Sequence, residues 1–268
     1  MTVLREGSPA EAGFDPARID LIKVRASEWT RGDRTPSSAV VAARRGVVAL
    51  HQADGRAGAD NDARIGLDAV FWCASLAKPI TATAIMILVE DGLLSLNRPL
   101  KEYFPNLRGQ YSERILVHHL LTHTSGFLDE VVDDAPVFAR PPDPGTAPAP
   151  GQDPNTHGVV SFYEGKDCFK KPGAQNSYCS ANFTILGDLV RRVSGVSLGQ
   201  FARERIFEPL GMTSSSMGYD HAFDERLVTM DKGFFGHDFR DRIGSMGCNG
   251  GGPCSPRRET SPSSGRRS

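Results

Sequence analysis

Ser75 and Lys78 form an SxxK tetrapeptide at the start of a strongly apolar segment. Residues three apart on a helix share a face, so the Ser75 hydroxyl and the Lys78 amine are expected within hydrogen-bonding distance. Serine is a weak nucleophile at neutral pH because its proton must leave as the oxygen attacks a carbonyl, and a neighbouring amine can accept that proton. The pair is therefore a candidate nucleophile with its base. A helix-capping serine followed by a solvated lysine would give the same tetrapeptide.

The segment that must position this pair runs from Pro79 to Val89 and reads PITATAIMILV. It is apolar on nearly every face, which predicts a helix enclosed by other elements. Pro79 is tolerated only in a first turn, and Gly92 is a natural stop after the helix. Ser75 is therefore expected at the helix N-terminus, where free N–H groups and the helix dipole favour negative charge on a substrate oxygen.

Three runs of sequence resemble the serine β-lactamase and penicillin-binding protein superfamily: residues 71–107, residues 120–127 (LLTHTSGF) and residues 171–212, which end in PLGM. The similar branch contains class C β-lactamases, D-alanyl-D-alanine carboxypeptidases and β-lactamase-fold esterases. The resemblance covers roughly residues 10–252. It implies an α+β fold in which an antiparallel sheet is flanked by helices and accompanied by a mainly helical lobe.

Two further site residues follow from the resemblance. In the family a tyrosine of a YxN motif stands beside the SxxK pair, and the matching residue is Tyr178. A phenol acts as a base only if its anion is stabilised, which the Lys78 ammonium would do. Ser180 occupies the substrate-binding position where the motif has asparagine, and this departure fits esterase-like members better than β-lactam recognition. A buried aromatic with a satisfied hydroxyl is the structural alternative for Tyr178.

The implied reaction is two-step acyl transfer on a small-molecule ester or amide, without a cofactor or a metal. Lys78 and Tyr178 deprotonate Ser75, which attacks the carbonyl, and water then releases the acid. A different class of function stays open, a catalytically inactive, truncated homologue that binds a ligand or partner or has no function. A true β-lactamase or D,D-carboxypeptidase is a third interpretation, disfavoured by Ser180.

The end of the chain departs from the family. The expected KTG or HxG-like triplet is absent, and residues 253–268 (PCSPRRETSPSSGRRS) contain no Leu, Ile, Val or Phe. Such a composition cannot bury a core. A frameshift is one hypothesis for this ending, and a natural disordered basic tail is the other. The predicted organisation is a single domain over 1–252 and this tail, the domain comprising a sheet-forming part (1–74), a mainly helical part (75–215) and a return segment (216–252).

Composition narrows the classes of partner. The 268 residues include 31 basic and 32 acidic side chains, giving a formal net charge of -1. No overall field therefore favours nucleic acid or an anionic membrane. Five cysteines without CxxC spacing fit reduced thiols. The N-terminal residues lack an apolar signal region, which leads us to expect a cytoplasmic protein. The sequence does not indicate the oligomeric state.

The remaining pattern predicts several elements. The first is a helix capped by Asp15, with an apolar stripe formed by Ile19, Ile22 and Ala26. It is followed by a hairpin about Gly46 whose second strand ends before Asp54-Gly55. A long loop is predicted over 129–158, and amphipathic helices over 182–193 and 198–207.

His119 and His123 are candidate metal ligands, because they have the i, i+4 spacing of zinc-binding histidine pairs on a helix. No glutamate follows His119 as in HExxH, so these histidines and His118 are interpreted as structural. His123 to Gly126 is expected to close a helix and turn the chain. A Ser-His-Asp triad centred on Ser125 would lack the GxSxG elbow.

Overall fold

The computed structural model describes residues 4–32, 35–58, 61–129, 131–132, 135–136, 149–150, 152 and 154–229. The predicted tail over 253–268, most of the return segment and most of the loop over 129–158 lie outside these residues.

A small mixed sheet forms the N-terminal part. Its central strand pairs antiparallel with the strand before it and with the short strand after it, and parallel with a short N-terminal strand. The strands, with a separate small hairpin, are β1 (Arg5–Glu6), β2 (Ser37–Arg44), β3 (Val47–Gly58), β4 (Asn61–Arg64), β5 (Val131–Val132) and β6 (Ala135–Pro136). The hairpin predicted about Gly46 is confirmed, since Arg45 and Gly46 both have the positive φ of a tight two-residue turn.

The predicted end of the second hairpin strand is wrong. Strand β3 continues through Asp54-Gly55 to Gly58, and Gly55 pairs with Ser37 at the start of β2. A Cβ on Gly55 would lie 2.2 Å from the Pro36 carbonyl oxygen, and its φ is +94°. The glycine therefore permits close approach of two strands here, a role for glycine in strands that the Asp-Gly turn signal does not distinguish.

Two helices cover the hairpin, α1 (Pro9–Ala12) and α2 (Pro16–Arg31). Asp15 caps α2 as predicted, because its carboxylate accepts the Ala17 N–H at 2.9 Å. Ile19 and Ala26 are buried, but Ile22 is 40% exposed, so its place in the predicted apolar stripe is wrong. Residues seven apart nearly align along a helix, and position 22 lies roughly 60° around it from that line.

The mainly helical part packs around one central helix. Its helices are α3 (Ala77–Glu90), α4 (Val117–Leu121), α5 (Pro154–Glu164), α6 (Ser180–Ser194), α7 (Leu198–Ala202) and α8 (Glu208–Leu210). Helix α6 contacts α3, α4, α5 and α7. The helix predicted over 182–193 is present within α6, but every residue from Ala181 to Val190 is buried, so its polar face is enclosed as well. Gly195, with φ +81°, ends α6 as expected.

Helix α3 is less enclosed than its sequence predicts. Thr81, Ala84, Ile85 and Leu88 are buried, but one stripe of α3 faces outward, formed by Pro79, Thr83, Met86 and Glu90. The helix thus presents one face to the core and one to solvent although nearly all its residues are apolar.

The long loop predicted over 129–158 is wrong at its C-terminal end. Helix α5 begins at Pro154, and its residues Thr156, Val159, Val160 and Tyr163 are buried at the spacing of one helix face. A second departure concerns the helix predicted over 198–207, because α7 gives way to a π-helical turn over Arg203–Phe207. π-Helical turns are rare, and the sequence pattern does not predict this one.

The sheet and the helical part are joined by residues 226–229. Val228 N–H donates to the Val70 carbonyl at 2.9 Å, and Thr229 N–H donates to the Ala57 carbonyl in β3 at 2.7 Å. Val70 N–H in turn donates to the Arg226 carbonyl at 2.9 Å. Within the described residues, no helix combines the length and the apolar character needed to cross a bilayer.

Candidate functional site

The SxxK pair lies at the entrance to α3. A 3₁₀ turn over Ala74–Leu76 carries Ser75 and leads directly into the helix, which places Pro79 in the first α-helical turn. Lys78 Nζ lies 3.1 Å from Ser75 Oγ, within donating distance. Ala74 has a left-handed φ of +44°, unusual for a residue with a side chain. The nucleophile candidate therefore follows a strained backbone position, as is common at functional sites.

Tyr178 reaches the same point from a distant part of the chain. Its hydroxyl lies 2.8 Å from Ser75 Oγ, and the two groups share a hydrogen bond. Lys78 Nζ lies 4.8 Å from the centroid of the Tyr178 ring. The structure thus brings together the three predicted catalytic side chains, a hydroxyl between a phenol and an amine. Such an arrangement can move a proton away from the serine oxygen.

The pKa of the Tyr178 phenol is lowered from its ordinary value. Burial alone would raise the pKa, but this effect is outweighed by hydrogen bonding to Lys78 and Ser75, by the Lys78 charge and by hydrogen bonding to Ser180. The phenolate is therefore favoured relative to free tyrosine, which is the direction a general base needs.

The site is open to solvent. Tyr178 is 53% exposed, and Ser75 is exposed as well. A substrate carbonyl can therefore approach the Ser75 oxygen at the entrance to α3. Tyr178 is not a fully buried structural aromatic, so the alternative of a buried, satisfied phenol is wrong.

A turn over residues 122–126 holds the segment that carries Tyr178. Ser177 N–H donates to the His123 carbonyl and Gly173 N–H to the Thr124 carbonyl, both at 2.8 Å. The Asn176 side chain donates to the Thr122 carbonyl at 2.7 Å. Because the segment before α6 has no regular structure of its own, these bonds fix where the phenol lies.

His123 contacts Tyr178 directly. The two rings stack with centroids 4.6 Å apart, and His123 Nδ1 accepts the Cys179 N–H at 3.1 Å. His123 has a φ of +55°, which aims its ring back at the tyrosine. Burial and the Lys78 charge lower the pKa of His123 and outweigh the opposing Asp129 carboxylate. Its neutral form, needed to accept the Cys179 N–H, is thereby favoured.

Ser180, the predicted substrate-binding residue, begins α6 beside Tyr178. Its N–H donates to both carboxylate oxygens of Asp129 at 2.8 Å, and Ala181 N–H donates to Asp129 Oδ1 at 3.3 Å. Cys179, at the N-cap position, provides no side-chain cap. Asp129 therefore caps α6 from another part of the chain, where its negative charge also complements the helix dipole.

Ser125 and His119 do not contact the three predicted catalytic side chains. Ser125 is fully buried and donates to Asn182 Oδ1 at 2.8 Å, so it cannot meet a substrate. His119 Nδ1 accepts the Leu116 N–H at 3.1 Å inside α4, whereas His123 lies beyond the end of that helix. No group of three potential metal-binding side chains occurs in the part of the chain that the structure describes.

Sequence reasoning did not predict the roles of His123 and Asp129. His123 was expected to turn the chain, which it does, but not to stack on Tyr178. Asp129 was assigned no role. Both act across more than 50 residues through contacts with Cys179 and Ser180. The sequence signal for the contact between His123 and Tyr178 was limited to the presence of the LLTHTSGF run and the tyrosine run in the same family resemblance.

Comparisons with known proteins bear on the family and the fold of the chain. A family model described as Beta-lactamase matches residues 25–242. Penicillin-binding protein 4 of Amycolatopsis lactamdurans is 30% identical over 175 residues, which cover 64% of this chain and 42% of that protein. A probable hydrolase M10 of a Phoma species is 29% identical over 64% of this chain and 32% of its own length. This chain thus spans less than half the length of both relatives.

Two solved structures share the fold. A penicillin-binding protein homologue from Caulobacter crescentus gives a TM-score of 0.62 at 20% identity, covering 80% of this chain and 54% of the other. EstCE1, a hydrolase with promiscuous acyltransferase activity, gives 0.63 at 21% identity, covering 80% and 57%. The predicted α+β, β-lactamase-like fold is confirmed. With the family match extending over most of the sequence, the chain belongs to the beta-lactamase family.

Proposed function

We propose that this protein is a serine hydrolase that cleaves a small ester or amide through an acyl-enzyme on Ser75. The observation that carries the proposal is the position of Ser75 Oγ, 2.8 Å from the Tyr178 hydroxyl and 3.1 Å from Lys78 Nζ. Membership in a family of hydrolases supports the reaction class. The particular substrate and the activity of this chain are part of the proposal.

In the first step, the Tyr178 phenolate accepts the Ser75 proton as Oγ forms a bond to the substrate carbonyl carbon. Lys78 stabilises the phenolate by its charge, and the backbone N–H of Ser75 stabilises the oxyanion. The proton then passes to the leaving alcohol or amine as its bond to the carbonyl breaks. In the second step, water loses a proton to the same base and its oxygen bonds to the acyl carbon. The base then returns this proton to Ser75 Oγ as the bond between Oγ and the acyl carbon breaks and the acid leaves.

Hydrolysis of p-nitrophenyl acetate tests the proposal. We expect turnover by the natural sequence, loss of at least about 1000-fold in kcat for Ser75→Ala, and a large loss for Tyr178→Phe. Ser95→Ala provides the control, because Ser95 is exposed and lies outside the turn that positions Tyr178. If Ser75→Ala hydrolyses the ester as fast as Ser95→Ala, the proposed nucleophile is wrong.

A non-catalytic homologue that binds a ligand is the second candidate. The 53% exposure of Tyr178 favours it, because a water-excluding site strengthens catalytic electrostatics and an open one does not. This candidate predicts no turnover of p-nitrophenyl acetate by the natural sequence, with a folded protein by circular dichroism. β-Lactamase or D,D-carboxypeptidase action would instead be supported by hydrolysis of nitrocefin or of a D-alanyl-D-alanine peptide.

A further inference from the structure

A cavity of about 330 Å³ lies against the turn that carries Ser75. One wall is formed by residues 70–77 without Ser75 itself, and the other by residues from 207 to 227. Both chain neighbours of Ser75, Ala74 and Leu76, line the cavity. The Ser75 hydroxyl instead bonds to Tyr178 and Lys78. A molecule in the cavity would therefore touch the backbone turn of the nucleophile without displacing its bases.

The lining of the cavity is mainly apolar and rich in large side chains, among them Phe71, Trp72, Ile80, Phe207, Met217 and Phe223. Met212 also lines it, and methionines adapt their shape to irregular apolar ligands. Leu76 is 69% exposed at the same place. An apolar ligand would remove this leucine and its neighbours from water.

The polar part of the lining selects against an anionic ligand. Asp220 is the one charged side chain among the described lining residues, and its carboxylate accepts the Ala222 N–H at 2.9 Å. A ligand carboxylate would be repelled by this group. Ser214, Ser215 and Ser216 add neutral hydroxyls, which suit the oxygen of an ester or alcohol.

The second wall is tied to the first. Arg226 donates to the Asp68 carbonyl at 3.1 Å and to Ser214 Oγ at 3.0 Å. Val70 and Leu227 form a parallel bridge. These contacts connect the chain before Ser75 with the segment after α8, so the cavity lies between segments that are held together.

We propose that this cavity binds the apolar acyl chain of the substrate, so that neutral esters of medium-chain acids are the preferred class. The assignment of the bound group as the substrate's acyl chain rests on the proposed function, whereas the binding of an apolar ligand by the cavity does not. The volume is at the lower end of the ~300–1,000 Å³ typical of small-molecule pockets. A cavity at this end of the range suits a single unbranched acyl chain, such as octanoyl, rather than a bulky ring system.

Binding is tested without catalysis through Trp72, one of the two tryptophans in the chain with Trp29. In a Trp29→Phe, Ser75→Ala protein, 1-octanol is expected to change the Trp72 fluorescence with a saturable dependence on concentration. Ser215→Phe in the same background should weaken this binding at least tenfold by filling the cavity. Thr213→Phe is the matched control, because Thr213 is exposed and not part of the lining. Equal thermal unfolding midpoints of the two phenylalanine variants exclude a folding defect.

Turnover is tested with p-nitrophenyl acetate and p-nitrophenyl octanoate. We expect the natural sequence to prefer octanoate in kcat/KM, and Ser215→Phe to reduce this preference at least tenfold by acting on octanoate alone. Thr213→Phe should keep the preference. Loss of octanol binding in Ser215→Phe with an unchanged chain-length preference would overturn the assignment to the substrate's acyl chain.

The two proposals fail in different ways. Saturable octanol binding together with absence of all ester turnover would refute the proposed hydrolase and support the cavity as an apolar binding site. Absence of any saturable Trp72 response, or an equal response in Ser215→Phe, would overturn the cavity proposal even if Ser75-dependent hydrolysis were observed.

Discussion

The Lys78 charge is expected to set the working pH of Tyr178. Removing it by Lys78→Met leaves the effect of burial less opposed, so the pKa of Tyr178 should rise. The phenolate would then form only at higher pH, and the pH at which kcat/KM reaches half its plateau should shift upward. Ultraviolet difference titration of tyrosinate measures the pKa, with Tyr178→Phe identifying its contribution among the five tyrosines. An unchanged or lowered Tyr178 pKa in Lys78→Met would contradict this account.

His123 is expected to position the phenol by two separable contacts, a ring stack and an acceptor for the Cys179 N–H. His123→Asn can keep an acceptor and tolerates the φ of +55°, whereas His123→Ala removes both contacts and adds backbone strain. We expect kcat to fall about tenfold in His123→Asn and further in His123→Ala, with KM for a small ester nearly unchanged. Steady-state kinetics measure this order. Equal kcat values for both variants and the natural sequence would refute the role.

At the level of single residues, local reasoning predicts the contact between Ser75 and Lys78, because residues three apart in sequence lie on the same side of a helical turn. Tyr178 is 103 residues from Ser75, and only the family resemblance connects the two. His123 and Asp129 act through backbone amides of the tyrosine segment. No spacing rule encodes such contacts, so their positions had to come from the fold.

Within helix α6, Asp188 is expected to contribute most among the charged groups. Its side chain is fully buried and bonds to Arg191 at 2.7 Å and to Arg192 at 2.8 Å. Asp188→Ala removes the buried carboxylate that two partly buried guanidinium groups share, and we expect the free energy of unfolding to fall by about 3 kcal/mol. Urea denaturation measures the change.

The matched control for Asp188 is the partly exposed pair of Asp91 and Arg205, 2.9 Å apart. Asp91→Ala should cost less than ~1 kcal/mol because solvent screens this pair. If Asp188→Ala costs no more than Asp91→Ala, the buried cluster does not stabilise α6 as argued.

Elements are predicted well where the signal is local and less well where tertiary packing decides. The Asp15 cap of α2 and the turn at Gly46 depend on neighbouring residues, and both are confirmed. Helix α5 was missed although Pro154 and an apolar face mark it, because the Pro and Gly content before it favoured a loop. The Asp54-Gly55 pair predicts a strand end by its local turn signal, whereas the close approach of Gly55 to Pro36 depends on the partner strand.

For the whole molecule, the contact between Gly58 and Thr229 is expected to join the sheet to the helical part. A Cβ on Gly58 would lie 2.1 Å from Thr229 Oγ1 and 3.1 Å from its carbonyl oxygen. Gly58→Ala should therefore displace residues 226–229 and lower the free energy of unfolding by about 1–3 kcal/mol. Thermal unfolding followed by circular dichroism measures the loss.

Gly165→Ala is the control for Gly58, because its nearest neighbouring atom would lie at an ordinary 3.9 Å. It should change the free energy of unfolding by less than ~0.5 kcal/mol. Thr229→Ala in the Gly58→Ala background should restore part of the stability by removing the hydroxyl. Equal stability of Gly58→Ala and Gly165→Ala would show that residues 226–229 do not pack on β3 as described.

The whole architecture serves to bring a serine from the start of α3 to a tyrosine before α6. The most direct test of this arrangement is intact-protein mass spectrometry after treatment with a phosphonate ester that reacts with the nucleophilic serine of serine hydrolases. We predict one adduct, assigned by peptide mapping to Ser75, absent in Ser75→Ala and retained in Ser95→Ala. An adduct that persists at full yield in Ser75→Ala, or that maps to another residue in the natural sequence, would contradict it.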